Sequence, residues 1–318
     1  MPSCSEKFAA ARRLRALALV ALCGLPWGPW AVSRASGLRF CDDPPPLNAG
    51  QQDKMLRFGA IIKAELDKSG QGSALVARSG LDLSRFGVRY SHAGFSLKAS
   101  QNAPWSVRQL YYACDERRPR IYDQGIAGFL LGTNDPSIGF VSVVFLPPAQ
   151  AAELERAALD DRQALQLLGA TYSANAYPFG LLYQNCNQWV VELLAVAWGG
   201  LDRADDLRAQ AQRWLKDRGY EPSHFEVGNP LLVLIGAFIP WLHSDDHPNE
   251  DIAQRIYRVS MPASIEDFVQ ATVPGARRME FCHTDRHVVI RRGWDPIAQG
   301  CEPGEQDTVI SLDATGAP

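Results

Sequence analysis

Cys186 and His92 are the residues whose surroundings could carry covalent chemistry. In Tyr183-Gln184-Asn185-Cys186-Asn187-Gln188-Trp189 a polar turn opens onto an apolar helix, predicted over Trp189 to Ala197. Asn185 is a good N-cap, because its side-chain oxygen can accept a free N–H at a helix start. Cys186 then meets the positive end of the helix dipole, which favours a thiolate. A thiolate beside a base is a nucleophile. The base candidate is His92, in Tyr90-Ser91-His92-Ala93-Gly94-Phe95, and Gln109 is the polar group able to orient its imidazole. Taken singly, a cysteine at a helix start is often a small buried hydrophobe, and a strand histidine often only packs.

Cysteine parity points at the same residue. Arg12, Arg13 and Arg15 make a basic start, Leu14 to Leu25 an apolar stretch too short to span a bilayer, and Ala31-Val32-Ser33 a small-x-small cleavage site. These predict a signal peptide over residues 1–33 and a secreted, periplasmic protein. An uncleaved anchor or an amphipathic cytosolic start are the alternatives. Removing the segment leaves Cys41, Cys114, Cys186, Cys282 and Cys301, an odd set. In an oxidising compartment the odd cysteine is a stray or a reactive thiol. The simplest pairing, Cys282 with Cys301 and Cys41 with Cys114, leaves Cys186 free. Other pairings stay open.

The elements that must position these groups read as α+β. The chain has 318 residues, 46% of them hydrophobic and 21% charged, enough for a substantial core. A net charge of −3 argues against a nucleic-acid partner. Met55, Phe58, Ile61, Ile62 and Leu66 recur at helical steps over Gln51 to Lys68. Ala74 to Arg78 is a strand candidate. Phe86 to Lys98 and Trp105 to Ala113 read as an antiparallel hairpin that brings Gln109 near His92, with Val88, Tyr90 and His92 on one face. Asp123 to Leu131 reads as a short helix and Ile138 to Leu146 as a buried central strand. Helices follow over Ala149 to Leu159, Asp161 to Leu168 and Ala204 to Arg218. The loop Gly169 to Tyr183 should line a cleft. Strands are predicted over Arg255 to Ser260, Arg277 to Cys282 and Arg286 to Arg292, with a helix from Ser264 to Thr272 capped by Ser264. One domain is expected over 37–303, with a patternless tail over 304–318.

Two further stretches bear on partners. Leu231 to Leu242 carries no charge; it predicts a buried helix or groove wall, with a membrane-surface contact as the alternative. His243-Ser244-Asp245-Asp246-His247 brings metal-ligand types close together but reads as a solvated loop. His283 and His287 read as surface residues. There is no Gly-rich phosphate loop and no zinc-type cysteine pairing, so neither metal nor cofactor is expected.

The order of the motifs carries a resemblance. His92-Ala93-Gly94-Phe95, a second strand with a polar residue, and Asn185-Cys186-Asn187-Gln188-Trp189 opening a helix resemble the circularly permuted branch of the NlpC-type papain-like superfamily, in which the histidine precedes the cysteine. The Asn-Cys-x-x-aromatic start is similar to that of lecithin retinol acyltransferase-like proteins. More narrowly, the chain resembles a secreted bacterial family of unknown function, of the DUF 2145 type, from about Cys41 to Arg292. The resemblance implies a papain-like α+β fold with an antiparallel sheet packed against the cysteine-bearing helix. It implies Cys186 as nucleophile, His92 as general base and then acid, and Gln109 in the third position. Histidine is common there in the superfamily. Glutamine can accept from the imidazole but brings no charge to stabilise imidazolium. The N–H of Cys186 would bind the oxyanion, with Tyr90, Tyr183, Gln184 and Asn185 as further oxyanion or cleft candidates. The function implied is a secreted cysteine hydrolase or acyltransferase acting on a cell-wall peptide or lipid-linked amide. The alternative is a non-catalytic envelope binding or assembly module on the same scaffold.

Overall fold

Helix α1 (Ala49–Lys68) follows its apolar spacing: Met55, Phe58, Ile62 and Leu66 form one buried stripe. Asn48 caps it, accepting from the Gln51 N–H while the Gln51 side chain accepts from the Asn48 N–H. The structure is a computed structural model that describes residues 47–312 except 134, 202–204, 237 and 238. The expected signal peptide, Cys41 and the end of the expected tail lie outside the described residues.

The centre of the fold is an eight-stranded antiparallel sheet. Its strands are β1 (Ser73–Arg78), β2 (His92–Leu97), β3 (Ser106–Ala113), β4 (Arg118–Gln124), β5 (Gly139–Phe145), β8 (Arg277–His283), β9 (His287–Arg292) and β10 (Thr308–Ser311). Their spatial order is β10-β9-β8-β5-β1-β2-β3-β4. Two short strands, β6 (Ser223–Glu226) and β7 (Ile256–Val259), pair with each other apart from it, with the short helix α8 (Asn249–Gln254) just before β7. The period of two gives each central strand two buried faces. Ala74 and Val76 of β1 pack with α1, whereas Leu75 and Ala77 join the core on the opposite side.

That opposite core holds α3 (Pro148–Leu159), α4 (Asp161–Gln166), α5 (Cys186–Gly199), α6 (Leu207–Asp217) and α9 (Pro262–Thr272). Helix α5 packs directly on β2 and β3. Its Trp189 is fully buried, 6.2 Å from the Phe95 ring, and its indole N–H donates to the Ala164 carbonyl at 3.2 Å. Glu192, in the middle of this apolar helix, is also fully buried. It is held by the side chains of Gln184 (2.6 Å), Gln212 (2.8 Å) and Arg208 (3.0 Å). A buried carboxylate needs such partners, and these lock α5 to the preceding loop and to α6.

Several expectations change. Strand β2 starts at His92, not Phe86, because Ser84–Phe86 is a 3-10 turn closed by Gly87 at a φ of +70°. Val88 and Tyr90 therefore precede the strand. Strand β4 was not foreseen, and the helix expected over Asp123 to Leu131 shrinks to α2 (Ile126–Leu130). β4 is an edge strand with a proline and charged residues, so it lacks an apolar alternation. The predicted tail contributes β10 at the other edge, and Leu312 is buried. Ser264 lies inside the first turn of α9, bonding the N–H and carbonyl of Met261, the residue at the cap position. The burial expected for Leu231 to Leu242 is not found in α7 (Pro230–Gly236), where Leu231, Leu232, Leu234 and Ile235 are exposed. Among the described residues no helix is long and apolar enough to cross a membrane.

Candidate functional site

Asn185 caps α5 as expected: its side-chain oxygen accepts from the Gln188 N–H at 2.6 Å. Its amide nitrogen donates to the Ala174 and Ser260 carbonyls, each at 3.3 Å, which fixes the turn. Cys186 is the free cysteine among the described residues, and it is buried. Tyr172 hydrogen-bonds with its sulfur, and the N–H groups of Asn187 and Cys186 are placed to stabilise negative charge there. These donors and Arg78 favour the thiolate, yet burial outweighs them and pushes the thiol up to about 11. The helix start alone therefore does not hold a thiolate, contrary to the expectation from the dipole.

His92 opens β2 and is buried. Its Nε2 lies 2.5 Å from Gln109 Oε1. The Gln109 amide nitrogen donates to Gln124 Oε1 of β4 at 2.6 Å, so the glutamine must turn its oxygen to the imidazole. This assigns the proton to Nε2 and leaves Nδ1 as the basic nitrogen. Burial and the nearby Arg78 charge hold His92 down to about 3, a neutral imidazole. Tyr111, half exposed, stands edge-on to the ring at 5.7 Å, and Phe129 of α2 lies at 6.0 Å.

The two halves approach at one end of the sheet. Ala93, Phe95 and Leu97 point into the α5 core. By alternation His92 points to the other face, towards Phe129. The first turn of α5 reaches that end of β2, where the Asn187 amide donates to the Ser91 carbonyl at 3.2 Å. Arg78 pairs with His92 across β1 and β2, and its charge acts on both Cys186 and His92. Among the described residues no hydrogen bond joins the Cys186 sulfur to His92. The sequence reading missed Arg78, Tyr172 and Gln124. Tyr172 lies in the Tyr- and Asn-rich loop expected to line the cleft, which was its one signal.

The further oxyanion or cleft candidates are engaged elsewhere. Tyr90 donates to the buried Glu280 carboxylate, which also holds Arg89. The Tyr183 hydroxyl donates to Asp245 at 3.1 Å, and its ring stacks on His243 at 4.3 Å. The Gln184 side chain bonds Glu192, Leu167 and Gly169. Asn185 is occupied by its cap. The segment 243–247 is the solvated loop expected only in part: Ser244 and Asp245 are exposed, but His247 is buried and bonds the Asn175 carbonyl at 2.7 Å, while Asp246 accepts from the Tyr177 N–H at 2.8 Å. His283 is also buried rather than superficial, and His287 is half-buried. Among the described residues no group of three or more His, Cys, Asp and Glu side chains could hold a metal ion.

Cys282 and Cys301 are joined by a disulfide, their Cα atoms 5.7 Å apart. Cys114 is disulfide-bonded as well; Cys41, its expected partner, lies outside the described residues. No curated protein and no solved structure matches the chain. Residues 65–269, more than half of the chain, match the model of a family described as "Uncharacterized protein conserved in bacteria (DUF2145)". The chain belongs to this bacterial family.

Proposed function

We propose that the protein is a secreted, periplasmic cysteine hydrolase or acyltransferase with Cys186 as nucleophile, on a papain-like scaffold of the permuted NlpC type. What supports this reading is a free cysteine at a capped helix start, a first helical turn that bonds the residue before His92, and an imidazole held by Gln109. In the reaction, the Cys186 sulfur bonds to the carbonyl carbon of an amide or ester as its proton passes to His92 Nδ1. The carbonyl electron pair moves to oxygen, where the N–H groups of Cys186 and Asn187 stabilise it. Collapse expels the amine or alcohol, protonated by His92, and leaves a thioester that water or an amine resolves. Burial holds Cys186 as a neutral thiol and His92 as a neutral imidazole, so proton transfer accompanies attack. Attack requires sulfur and ring to come within hydrogen-bond reach in the substrate complex. A cell-wall peptide or lipid-linked amide suits the envelope location that the signal-like N-terminus and the disulfides support.

A second reading, an envelope binding or assembly module with an unused thiol, is favoured by the burial of both groups. Labelling by an electrophilic thiol probe separates the two. The account predicts labelling that Cys186→Ser abolishes with the melting temperature nearly unchanged. Equal labelling of the variant would remove Cys186 from the site.

A further inference from the structure

Arg78 is a buried cation without a carboxylate. Its guanidinium donates through Nη1 to the carbonyls of Ser79 and Gly132, both neutral, and lies 5.3 Å from the Phe129 ring centroid. Among the described residues it makes no ion pair, and its Nε is buried with no hydrogen-bond partner. An arginine stays charged in a protein, and a buried charge is costly unless paired. The other buried arginine of the sheet, Arg278, follows that rule by bonding Glu266 at 2.8 Å.

A pocket opens beside Arg78 on the α1 face. Its cavity volume is about 10 Å3, at the lower limit for holding one water molecule. Met55, Phe58 and Leu130 give it apolar walls, and Arg78 and His283 line it together. His283 is almost fully buried against Phe58, with ring centroids 4.7 Å apart. Its Nε2 is buried and also lacks a partner. Gly139 keeps the ring in place, since a Cβ there would lie 2.8 Å from Nε2. Arg78 and His283 thus both line this pocket, and each carries a buried side-chain nitrogen without a hydrogen-bond partner. The nearby Asp135 is occupied by the N–H and hydroxyl of Ser137.

We propose that this pocket binds a small monoanion, a halide or the carboxylate end of a larger ligand, between the Arg78 guanidinium and the Nε2–H of His283. The anion supplies the counter-charge that the chain withholds from Arg78 and fixes the proton of His283 on Nε2. The site contains neither Cys186 nor Gln109 and does not depend on the thiol being a nucleophile.

The test is a nuclear magnetic resonance titration of the mature protein, disulfides intact, with sodium formate and separately with sodium chloride, at an ionic strength held constant with gluconate. The expected result is saturable shifts of the Gly139 and His283 backbone amides. Binding should weaken about tenfold or more in Arg78→Gln and in His283→Gln, the loss typical of a charge-assisted hydrogen bond, and persist in Cys186→Ser. Tighter binding of formate identifies a carboxylate site, tighter binding of chloride a halide site. Absence of saturable shifts with either probe would mean a water-filled pocket and overturn the proposal. Binding that survives both pocket substitutions, or that vanishes in Cys186→Ser, would overturn it too. Should Arg78→Gln fail to fold, His283→Gln carries the comparison.

Discussion

At the scale of residues, Arg78 organises the electrostatics around Cys186 and His92. Its charge favours the thiolate and disfavours the imidazolium. Replacing it with glutamine removes a term that lowers the thiol, so the pH midpoint for alkylation of Cys186 should rise by about one unit. An unchanged midpoint, read from iodoacetamide rates across the alkaline range, would show that Arg78 does not act on the sulfur. The positions of Cys186 at a capped helix start and of His92 beside Gln109 were legible in local sequence because each has a local signature: a cap before the cysteine and a strand pattern around the other two. Arg78 left no such signature, and Tyr172 only its place in the loop expected to line the cleft. They come to the sulfur from β1 and from the loop before α5, and only the tertiary fold joins them. The thiol's resting state was misjudged for a related reason. A helix start can be read from sequence, whereas the burial that outweighs it depends on every element packed around it.

At the scale of elements, the His92–Gln109 contact depends on how closely β2 and β3 approach. Gly94 lies close against β3: a Cβ there would come within 2.6 Å of Val107, 2.8 Å of the Arg108 carbonyl and 3.2 Å of Gln109 Cβ. Gly94→Ala should force the strands apart, loosen the hydrogen bond to His92 and destabilise the fold by about 1–3 kcal/mol, as overpacking does. Urea denaturation reads the stability, and the His92 ring resonances read the contact. Full stability with unaltered resonances would show that the approach is not needed. Gln109 in turn is oriented by Gln124, which sits on the strand that sequence reading overlooked. β4 could not be found from alternation, because an edge strand escapes aggregation by carrying charges and a proline where a central strand carries apolar residues. Helix α7 shows the converse. Its composition suggested burial, but apolar type does not by itself assign a residue to the interior. A membrane-surface contact through Leu231 to Leu242 stays a proposal.

At the scale of the whole molecule, two cores on the two faces of one sheet give this member of the DUF2145 family a rigid floor under the candidate site. Burial of His92 in that floor ties stability to pH. Its folded pKa lies near 3, below the ordinary 6.5, so the unfolded chain takes up the proton first. The contribution is complete above pH 6.5 and is lost as pH falls towards 3, with a slope of at most about 1.4 kcal/mol per pH unit. Unfolding free energies measured across that window should fall less steeply with acid in His92→Gln, and identical slopes would show that His92 is not buried neutral. The proposal that sulfur and imidazole act as one unit at the end of the sheet is more demanding, because His92 points away from the core that holds Cys186. The rate at which iodoacetamide alkylates Cys186 at neutral pH, compared between the native protein and His92→Gln, tests it most directly. The account predicts a measurable rate that collapses in the variant while the fold persists. Equal rates in the two proteins would mean that the thiol and the imidazole do not share a site.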